Sequence, residues 1–285
     1  MLEDLSNFRR IAHLGAGAYS TVYKAEDLRT GEMVAIKTSK PLVEDRGVPS
    51  WEIRELAYLT RLQHPNIIKL HHFVLQSQAT HFVLECLEQD LAHALYHADF
   101  PEALVKPVMR QVLEGVAFMH GSLVIHRDLK LQNILLTADY TPRISDFGLA
   151  RKLNCPGQAK TPTVQSLWYR SPEVLIGSTD YGAAIDVWSL GCIFGELLIR
   201  QPLFPGSSPE DQLVTIFTVL GLEGALREWT NSLPRETHRQ RAANVKSKLE
   251  SVDPLARGLL AELLKVNPDE RVIARQALRH PYFHN

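Results

Sequence analysis

The stretch His126-Arg127-Asp128-Leu129-Lys130-Leu131-Gln132-Asn133, followed by Asp146-Phe147-Gly148, decides how the rest of the chain is interpreted. It places two acids, an amide and a lysine in two loops with room for a short hairpin between them. Such side chains can converge on one polyphosphate and its metal ions, where one carboxylate accepts a hydroxyl proton and the other binds Mg²⁺ together with the amide. The stretch therefore indicates phosphoryl transfer without a covalent bond to the protein.

The order and spacing of these residues resemble the catalytic loop and the Asp-Phe-Gly triplet of protein kinases. The triplet alone is a weak signal because short triplets recur by chance, but the longer loop upstream of it makes the resemblance strong. The resemblance implies proton acceptance for Asp128, neutralisation of the transferring phosphate for Lys130, and Mg²⁺ binding for Asn133 and Asp146. His126 is interpreted as packed scaffold and not as a base.

Composition excludes several other classes of protein. The chain has 285 residues, 45% of them hydrophobic, which is enough for a large core and for two lobes or two domains. Its net charge of −1 gives no argument for nucleic-acid binding, and no apolar run approaches the roughly 20 residues of a membrane-spanning helix. Three well-separated cysteines are typical of reduced intracellular thiols: Cys86, Cys155 and Cys192. The acidic N-terminus lacks a secretory signal, so we expect a nuclear or cytoplasmic protein.

The first part of the chain predicts a small antiparallel sheet. Residues 8–37 alternate apolar and polar side chains and contain two tight connections, which predicts three strands. The first connection is glycine-rich, with Gly15 and Gly17 free to fold closely over a phosphate chain, although Ser20 replaces the third kinase glycine. Alone this loop could be an ordinary hairpin. Val34-Ala35-Ile36-Lys37 strengthens the interpretation, because Lys37 matches the kinase lysine that holds the α- and β-phosphates.

An acidic partner for Lys37 is available in residues 48–59, which predict a helix. Ser50 is the predicted N-cap. The apolar positions predicted to share one helical face are Ile53, Leu56 and Leu59. Glu55 matches the kinase glutamate that pairs with the lysine. The segment resembles the P-S-T-A-I-R-E helix of cyclin-dependent kinases, with Trp51-Glu52 in place of Thr-Ala.

This resemblance implies an α+β fold with the bilobal kinase architecture. One kinase domain would span residues 1–285, with a small antiparallel β-sheet lobe and one regulatory helix in residues 1–86, and a larger, mainly α-helical lobe in residues 87–285. Backbone atoms of Glu85 and Leu87 would bind adenine, Asp90 the ribose, and Leu84 would limit the pocket behind the adenine. The residues expected to bind ATP are Leu14, Gly15, Ala16, Gly17, Ala18, Tyr19, Ser20, Thr21, Val22, Ala35, Lys37, Glu85, Leu87, Asp90, Gln132, Asn133, Leu135 and Asp146.

Residues 146–173 match the kinase activation segment, and their small, polar and proline residues predict a mobile loop. Three arginines match the pocket for a phosphothreonine, where bidentate contacts would order the loop: Arg54, Arg127 and Arg151. Thr161 falls at the phosphosite of the family, and Thr163 is the less favoured alternative. Pro162 after Thr161 departs from the family and leaves open whether another kinase or the enzyme itself acts there. Tyr19 in the glycine loop is a second candidate phosphosite.

Trp168-Tyr169-Arg170 resembles the segment that gives cyclin-dependent and mitogen-activated kinases their preference for proline after the target residue. Val164 and Gln165 would supply the backbone of that pocket beside Arg170, and a proline fits because it has no N–H to satisfy. Ser166 would bridge Asp128 and Lys130. Two structural contacts are also implied: Asp186 would anchor the catalytic loop, and Glu173 would pair with Arg271.

Residues 222–248 are polar and basic, and we interpret them as a solvated insert, with a nuclear-localisation or docking patch as the alternative. Their basic residues are Arg235, Arg239, Arg241, Lys246 and Lys248.

Taken together, the sequence is identified as a member of the cyclin-dependent kinase family. The resemblance implies an ATP- and Mg²⁺-dependent Ser/Thr kinase that acts on Ser/Thr-Pro sites. It also implies activation by a cyclin-like partner at residues 49–62 and by phosphorylation of Thr161. A mitogen-activated-type kinase is an alternative, although the usual Thr-x-Tyr is absent from Lys160-Thr161-Pro162-Thr163. A catalytically inactive kinase-fold scaffold is the other.

Overall fold

The computed structural model describes residues 5–17, 20–39, 48–76, 79–98, 100–153, 164–232 and 234–284. The positions named in the sequence analysis that lie outside these residues are Ala18, Tyr19, Cys155, Lys160, Thr161, Pro162 and Thr163.

The first part of the chain forms one antiparallel sheet, as the sequence predicted. Its strands are β1 (Phe8–Ala16), β2 (Ser20–Asp27), β3 (Met33–Ser39), β4 (Leu70–Gln76) and β5 (Ala79–Glu85). They lie in the order β1-β2-β3-β5-β4. A single helix, α1 (Ser50–Arg61), is inserted between β3 and β4.

The strand register collects the predicted nucleotide-site residues on one face of this sheet. Val22 lies opposite Lys37, and Ala35 lies opposite Leu84. Directly opposite residues of antiparallel strands project to the same face, as do residues two apart on one strand. Residues of the alternate positions, including Ile36, form a separate small core on the other face. The alternation in the sequence therefore separates a ligand-facing surface from a structural one.

Helix α1 departs from the prediction in two details. Pro49 is the N-cap and Ser50 is already the first helical residue, with no capping hydrogen bond from a side chain. Ser50 Oγ instead accepts a hydrogen bond from Arg54 Nη1 at 3.1 Å. Ile53, predicted to share an apolar face with Leu56 and Leu59, is 56% exposed, because the helix packs through the face that carries Glu52, Glu55 and Leu59.

The rest of the chain is mainly helical. Its helices are α2 (Leu91–His97), α3 (Val105–Gly121), α4 (Pro172–Leu175), α5 (Ala184–Ile199), α6 (Pro209–Leu220), α7 (Glu236–Glu250), α8 (Pro254–Leu263) and α9 (Ala274–Ala277). Short strands complete the site region: β6 (Gln89–Asp90), β7 (Val124–Ile125), β8 (Ile134–Leu136), β9 (Pro142–Ile144) and β10 (Arg151–Lys152). An antiparallel sheet followed by a helical region is the bilobal kinase architecture, which confirms the predicted fold class.

Helix α5 forms the centre of the helical region. It is apolar on nearly all sides and buried along almost its whole length, as expected for a helix surrounded by others. Gly191 and Gly195 allow this close packing, because a Cβ at either position would meet Leu264 or Leu203 at less than 3.0 Å. In the part of the chain that the structure describes, no helix is both long enough and apolar enough to cross a membrane.

Residues 222–248 contain more regular structure than the sequence indicated. As expected of a solvated segment, these basic side chains are exposed: Arg235, Arg239, Lys246 and Lys248. The segment contains a 3-10 turn, Glu223–Glu228, and helix α7. Helix α7 buries His238, Ala242 and Val245. His238 Nε2 lies 2.7 Å from Asp211 Oδ1 on α6. A few apolar positions at helical spacing are enough to dock an otherwise polar helix, and the many charges concealed them in the sequence.

A buried ion pair joins the end of the activation segment to the helical region. Arg271 Nη1 and Nη2 donate to the two carboxylate oxygens of Glu173 at 2.9 and 3.1 Å. Arg271 Nη1 also donates to Ala184 O at 2.7 Å. The pairing was implied by the family resemblance, and its bidentate geometry satisfies a charge that would otherwise be buried alone.

We expect Arg271→Ala to lower the free energy of unfolding by about 3–5 kcal/mol, because it leaves the Glu173 carboxylate buried without its partner. Urea denaturation followed by circular dichroism measures the change. The control is Arg9→Ala, which breaks an exposed pair with Glu26 and should cost less than about 1 kcal/mol. Equal effects of the two variants would contradict the structural role of the buried pair.

Candidate active site

The catalytic loop follows β7, and the side chain of Asp186 holds it in place. The Asp186 carboxylate is fully buried and accepts hydrogen bonds from the backbone N–H groups of His126 at 2.8 Å and Arg127 at 2.9 Å. Its Oδ2 also lies 3.0 Å from His120 Nε2. Burial would raise the pKa of Asp186, but the hydrogen bond and charge of His120 and the other donors lower it. The loop is thus fixed by an ionised carboxylate, as the sequence led us to expect.

His126 lies in the core, in agreement with its interpretation as scaffold. It is fully buried, and its Nε2 lies 2.9 Å from Ser145 O. Its Nδ1 accepts a hydrogen bond from Asp128 N at 3.2 Å, and its ring packs edge-on against Phe147. Both ring nitrogens are therefore occupied by backbone groups, which positions the loop and leaves neither for proton transfer.

Asp128 is surrounded by donors that fix its carboxylate. Oδ1 accepts hydrogen bonds from Ser166 N and Ser166 Oγ, both at 2.9 Å. Oδ2 accepts from Lys130 Nζ at 2.7 Å and from Asn133 Nδ2 at 3.2 Å. Lys130 Nζ also donates to Ser166 Oγ at 3.1 Å, so Ser166 does bridge the two residues. The cluster presents a carboxylate and an ammonium group side by side.

Asn133 and Asp146 present oxygen atoms beside this cluster. The amide nitrogen of Asn133 donates to Asp128 O at 2.8 Å, which leaves the amide oxygen to act as a ligand. Asp146 has a left-handed backbone with φ of 62°, and its side chain is half exposed. An amide oxygen and a carboxylate oxygen are ligands that suit a hard divalent cation, so the residues present fit the metal that the catalytic stretch implied.

Lys37 joins the sheet, helix α1 and the Asp146 loop. Its Nζ lies 2.7 Å from Glu55 Oε1 and 3.2 Å from Asp146 Oδ1. Burial would lower the pKa of Lys37, but the charges of Glu55 and Asp146 outweigh it and raise that pKa. Partial burial would raise the pKa of Asp146, and the charge of Lys37 lowers it instead. Burial raises the pKa of Glu55, and the charge of Lys37 opposes this rise. The shifts of Lys37 and Asp146 both favour their charged forms at neutral pH.

A second contact between α1 and the sheet was missed by sequence reasoning. Glu52 is buried, and its Oε2 accepts a hydrogen bond from Thr80 Oγ1 on β5. Thr80 N in turn donates to Ser39 Oγ at 2.9 Å. No local pattern connects Glu52 with Thr80, since they are 28 residues apart. Its only sign was the charged residue at an alanine position of the resembled helix.

The expected nucleotide-site residues fall into two groups. Ala35 and Leu84 are buried in the main core, and Val22, Leu87 and Leu135 are partly buried against it. Val22, Ala35 and Leu84 share one face of the sheet, and these apolar side chains are the ones expected to meet the adenine.

The other expected residues have different surroundings. The carboxylate of Glu85 lies 3.3 Å from Arg143 Nε. Its backbone N–H donates to Lys69 O at 3.0 Å, so this N–H is not available to a ligand. Asp90 caps α2 by accepting from His93 N at 2.8 Å. Leu14 is 50% exposed, and Gln132 is exposed as well, so neither is shown in contact with the apolar side chains expected to meet the adenine.

The three predicted arginines line one cavity of about 550 Å³, together with Lys37, Glu55 and Asp146. Burial and then the charges of Arg151 and Arg127 lower the pKa of Arg54. Arg127 donates to Leu149 O at 2.7 Å and to Tyr181 Oη at 2.8 Å, a tyrosine that sequence reasoning missed. Arg54 Nε is buried without a hydrogen-bond partner among the described residues. Three neighbouring cations, one with an unused donor, have the chemistry that an anion such as a phosphate would require.

Arg170 lies near the end of the activation segment and binds backbone carbonyl groups of the same segment. Its Nε donates to Val164 O at 2.9 Å, and its Nη2 donates to Gln165 O at 2.8 Å. Gln165 has a left-handed backbone with φ of 66°. Both carbonyl groups that were expected to border the substrate pocket are therefore occupied by one guanidinium group.

Comparison with protein families identifies the arrangement. A family model described as "Protein kinase domain" matches residues 8–283. The matched region runs from the first residue of β1 to the last turn of the chain, so it contains every site residue described above.

We expect Thr80→Val to loosen helix α1 from the sheet, because it leaves the buried Glu52 carboxylate without its donor at a cost of about 1–3 kcal/mol. Hydrogen exchange of the amides of residues 50–61 should become faster, and the protein should unfold at a lower denaturant concentration. The control is Thr60→Val, the same change at an exposed position of α1, which should alter stability by less than about 0.5 kcal/mol. Unchanged exchange in Thr80→Val would show that the contact does not hold the helix.

Proposed function

The chain belongs to the protein kinase domain family, and from that premise we propose that it transfers the γ-phosphate of ATP to serine or threonine residues that are followed by proline. Membership of the family gives phosphotransfer from ATP to protein with the help of a divalent metal ion. The proposal adds the Ser/Thr-Pro preference, Mg²⁺ as the metal ion and regulation of the cyclin-dependent type.

The single observation that carries the proline preference is the position of Arg170. A residue other than proline brings a backbone N–H into the pocket after the phosphoacceptor, and that N–H needs an acceptor once water is excluded. The carbonyls of Val164 and Gln165 are bound to Arg170. An N–H there would remain unsatisfied, whereas proline has none to satisfy. Discrimination thus comes from a penalty against other residues and not from attraction to proline.

The contacts around Asp128 support its role in the transfer. A serine or threonine hydroxyl bound next to Asp128 would pass its proton to the carboxylate as the oxygen attacks the γ-phosphorus. Lys130, which contacts both Asp128 and Ser166, would stabilise the charge that develops on the phosphoryl oxygens. Asn133 and Asp146 would hold Mg²⁺, which when bound neutralises charge on the ATP phosphates. Lys37, fixed by Glu55, would orient the α- and β-phosphates.

Regulation is proposed on two surfaces of the site. A cyclin-like partner would dock on the accessible part of residues 49–62. The exposed residues of α1 after its first turn are Ile53, Ala57, Thr60 and Arg61. An isoleucine that is 56% exposed on the helix that carries Glu55 suits an apolar contact. A phosphate on Thr161 would be bound by the three arginines described above.

We expect Asp128→Asn to reduce turnover by at least about 100-fold, because the amide cannot accept the hydroxyl proton. ATP binding should persist, because Lys37 and the apolar side chains expected to meet the adenine are unchanged. Phosphate transfer to a Ser-Pro peptide and nucleotide binding by calorimetry measure the two effects. Asp139→Asn, the same change at an exposed turn, is the control and should retain full activity. Normal transfer by Asp128→Asn would refute the role of Asp128.

The proline preference has its own test. Equal rates of the chain without a substitution on Ser-Pro and Ser-Ala peptides would refute it.

We expect Thr161→Ala to lower activity by about tenfold or more, because the charge-assisted contacts of a phosphate with the arginines are lost. The measurement compares the peptide phosphorylation rates of the Thr161→Ala and Thr163→Ala variants. Each variant is expressed in the cells that naturally make the protein and is purified with its bound partners. Thr163→Ala should have the same activity as the chain without a substitution. The partner is tested in the same assay, since full activity of the isolated, partner-free chain would contradict partner dependence.

A further inference from the structure

We propose that the side chain of Gln165 is a positioning residue that sets selectivity for the residue after the phosphoacceptor. It would do so by holding its own backbone carbonyl on Arg170. This inference rests on the proposed proline preference and concerns a side chain to which the sequence assigned no role, since only the backbone of Gln165 was expected to matter.

Gln165 uses both ends of its amide inside the protein. The side chain is buried, and its Nε2 donates to Ser189 Oγ at 2.7 Å and to Ile185 O at 2.9 Å, both on α5. Its Oε1 accepts from Ser171 N at 3.1 Å and from Ser171 Oγ at 3.3 Å. Since a primary amide has two N–H donors and one oxygen acceptor, the group is fully satisfied.

These contacts hold Gln165 in an otherwise unfavourable backbone conformation. A left-handed φ of 66° is strained in a residue with a Cβ, and such a conformation persists when the surroundings determine it in several ways. Here the side chain is attached to α5 on one side and to Ser171 on the other. The amide therefore restricts rotation of the peptide that carries Gln165 O, the oxygen that Arg170 binds at 2.8 Å.

The same peptide unit is connected to the catalytic loop. Gln165 N donates to Arg127 O at 3.0 Å, and the next residue, Ser166, donates to Asp128 Oδ1. A change in the conformation of Gln165 would expose its carbonyl to the substrate pocket. An N–H of a non-proline residue could then find an acceptor, and the discrimination in favour of proline would fall.

The experiment measures kcat/KM of the full-length chain on matched Ser-Pro and Ser-Ala peptides and takes the ratio of the two values. We expect Gln165→Ala to lower this ratio by about tenfold, equivalent to about 1.4 kcal/mol. Gln165→Gly should lose less selectivity than Gln165→Ala, because glycine adopts the left-handed conformation without strain. Gln240→Ala, at an exposed position of α7, is the matched control and should leave the ratio unchanged.

The ratio is independent of the folded fraction, because both peptides are assayed with the same preparation. If Gln165→Ala yields no folded protein, Ser189→Ala removes one acceptor of the same amide and should lower the ratio in the same direction. If the chain without a substitution prefers Ser-Pro, and Gln165→Ala and Ser189→Ala prefer it equally, only this inference is overturned. An unmodified chain without any preference for Ser-Pro would overturn the proposed proline preference and, with it, the role of Gln165.

Discussion

The buried carboxylate of Asp186 is the constraint on which the geometry of the site depends. It accepts hydrogen bonds from two successive N–H groups of the catalytic loop. The second belongs to Arg127, which has a left-handed backbone conformation. Arg127 O then receives Gln165 N, and Asp128 receives Ser166 N. The substrate loop is thus attached to the catalytic loop, which is attached to α5. An ionised group inside the core is tolerated because His126 N, Arg127 N and His120 Nε2 all contact it.

Helix α1 is the second element on which the site depends, because it makes three different polar contacts. Glu55 contacts Lys37, Glu52 contacts Thr80, and Arg54 faces the other arginines. A rigid helix cannot move one of these side chains without the others. Under the proposed regulation, a partner bound at Ile53 and an anion bound at Arg54 would therefore both position helix α1. Through Glu55, the position of α1 would determine where Lys37 meets the ATP phosphates.

Sequence reasoning located most of the fold and of the catalytic cluster. The alternation of residues 8–37 predicted three strands that are present, and Asp128, Lys130, Asn133 and Ser166 are in mutual contact. It missed features where tertiary contacts outweigh local preference. Ile53 is exposed because two glutamates of α1 are drawn to the sheet, and α7 is a packed helix because His238, Ala242 and Val245 find a complementary surface. The role of Tyr181 had no local signal, since it meets Arg127 only through folding.

The sequence by itself determined the chemistry, because the acids, the amide and the lysines of a phosphate site must be present at workable spacing whatever the fold does with them. It also determined the strand pattern, which depends on the alternation of side chains along the chain. Only the tertiary structure decided which carbonyls face Arg170, which donors satisfy Glu52, and how the Gln165 amide is used. Some of those contacts join residues 20 or more positions apart, such as Glu52 with Thr80 and Gln165 with Ile185, and others depend on one backbone conformation, the left-handed φ of Gln165. A hydrogen bond spans about 3 Å, and a small displacement removes it.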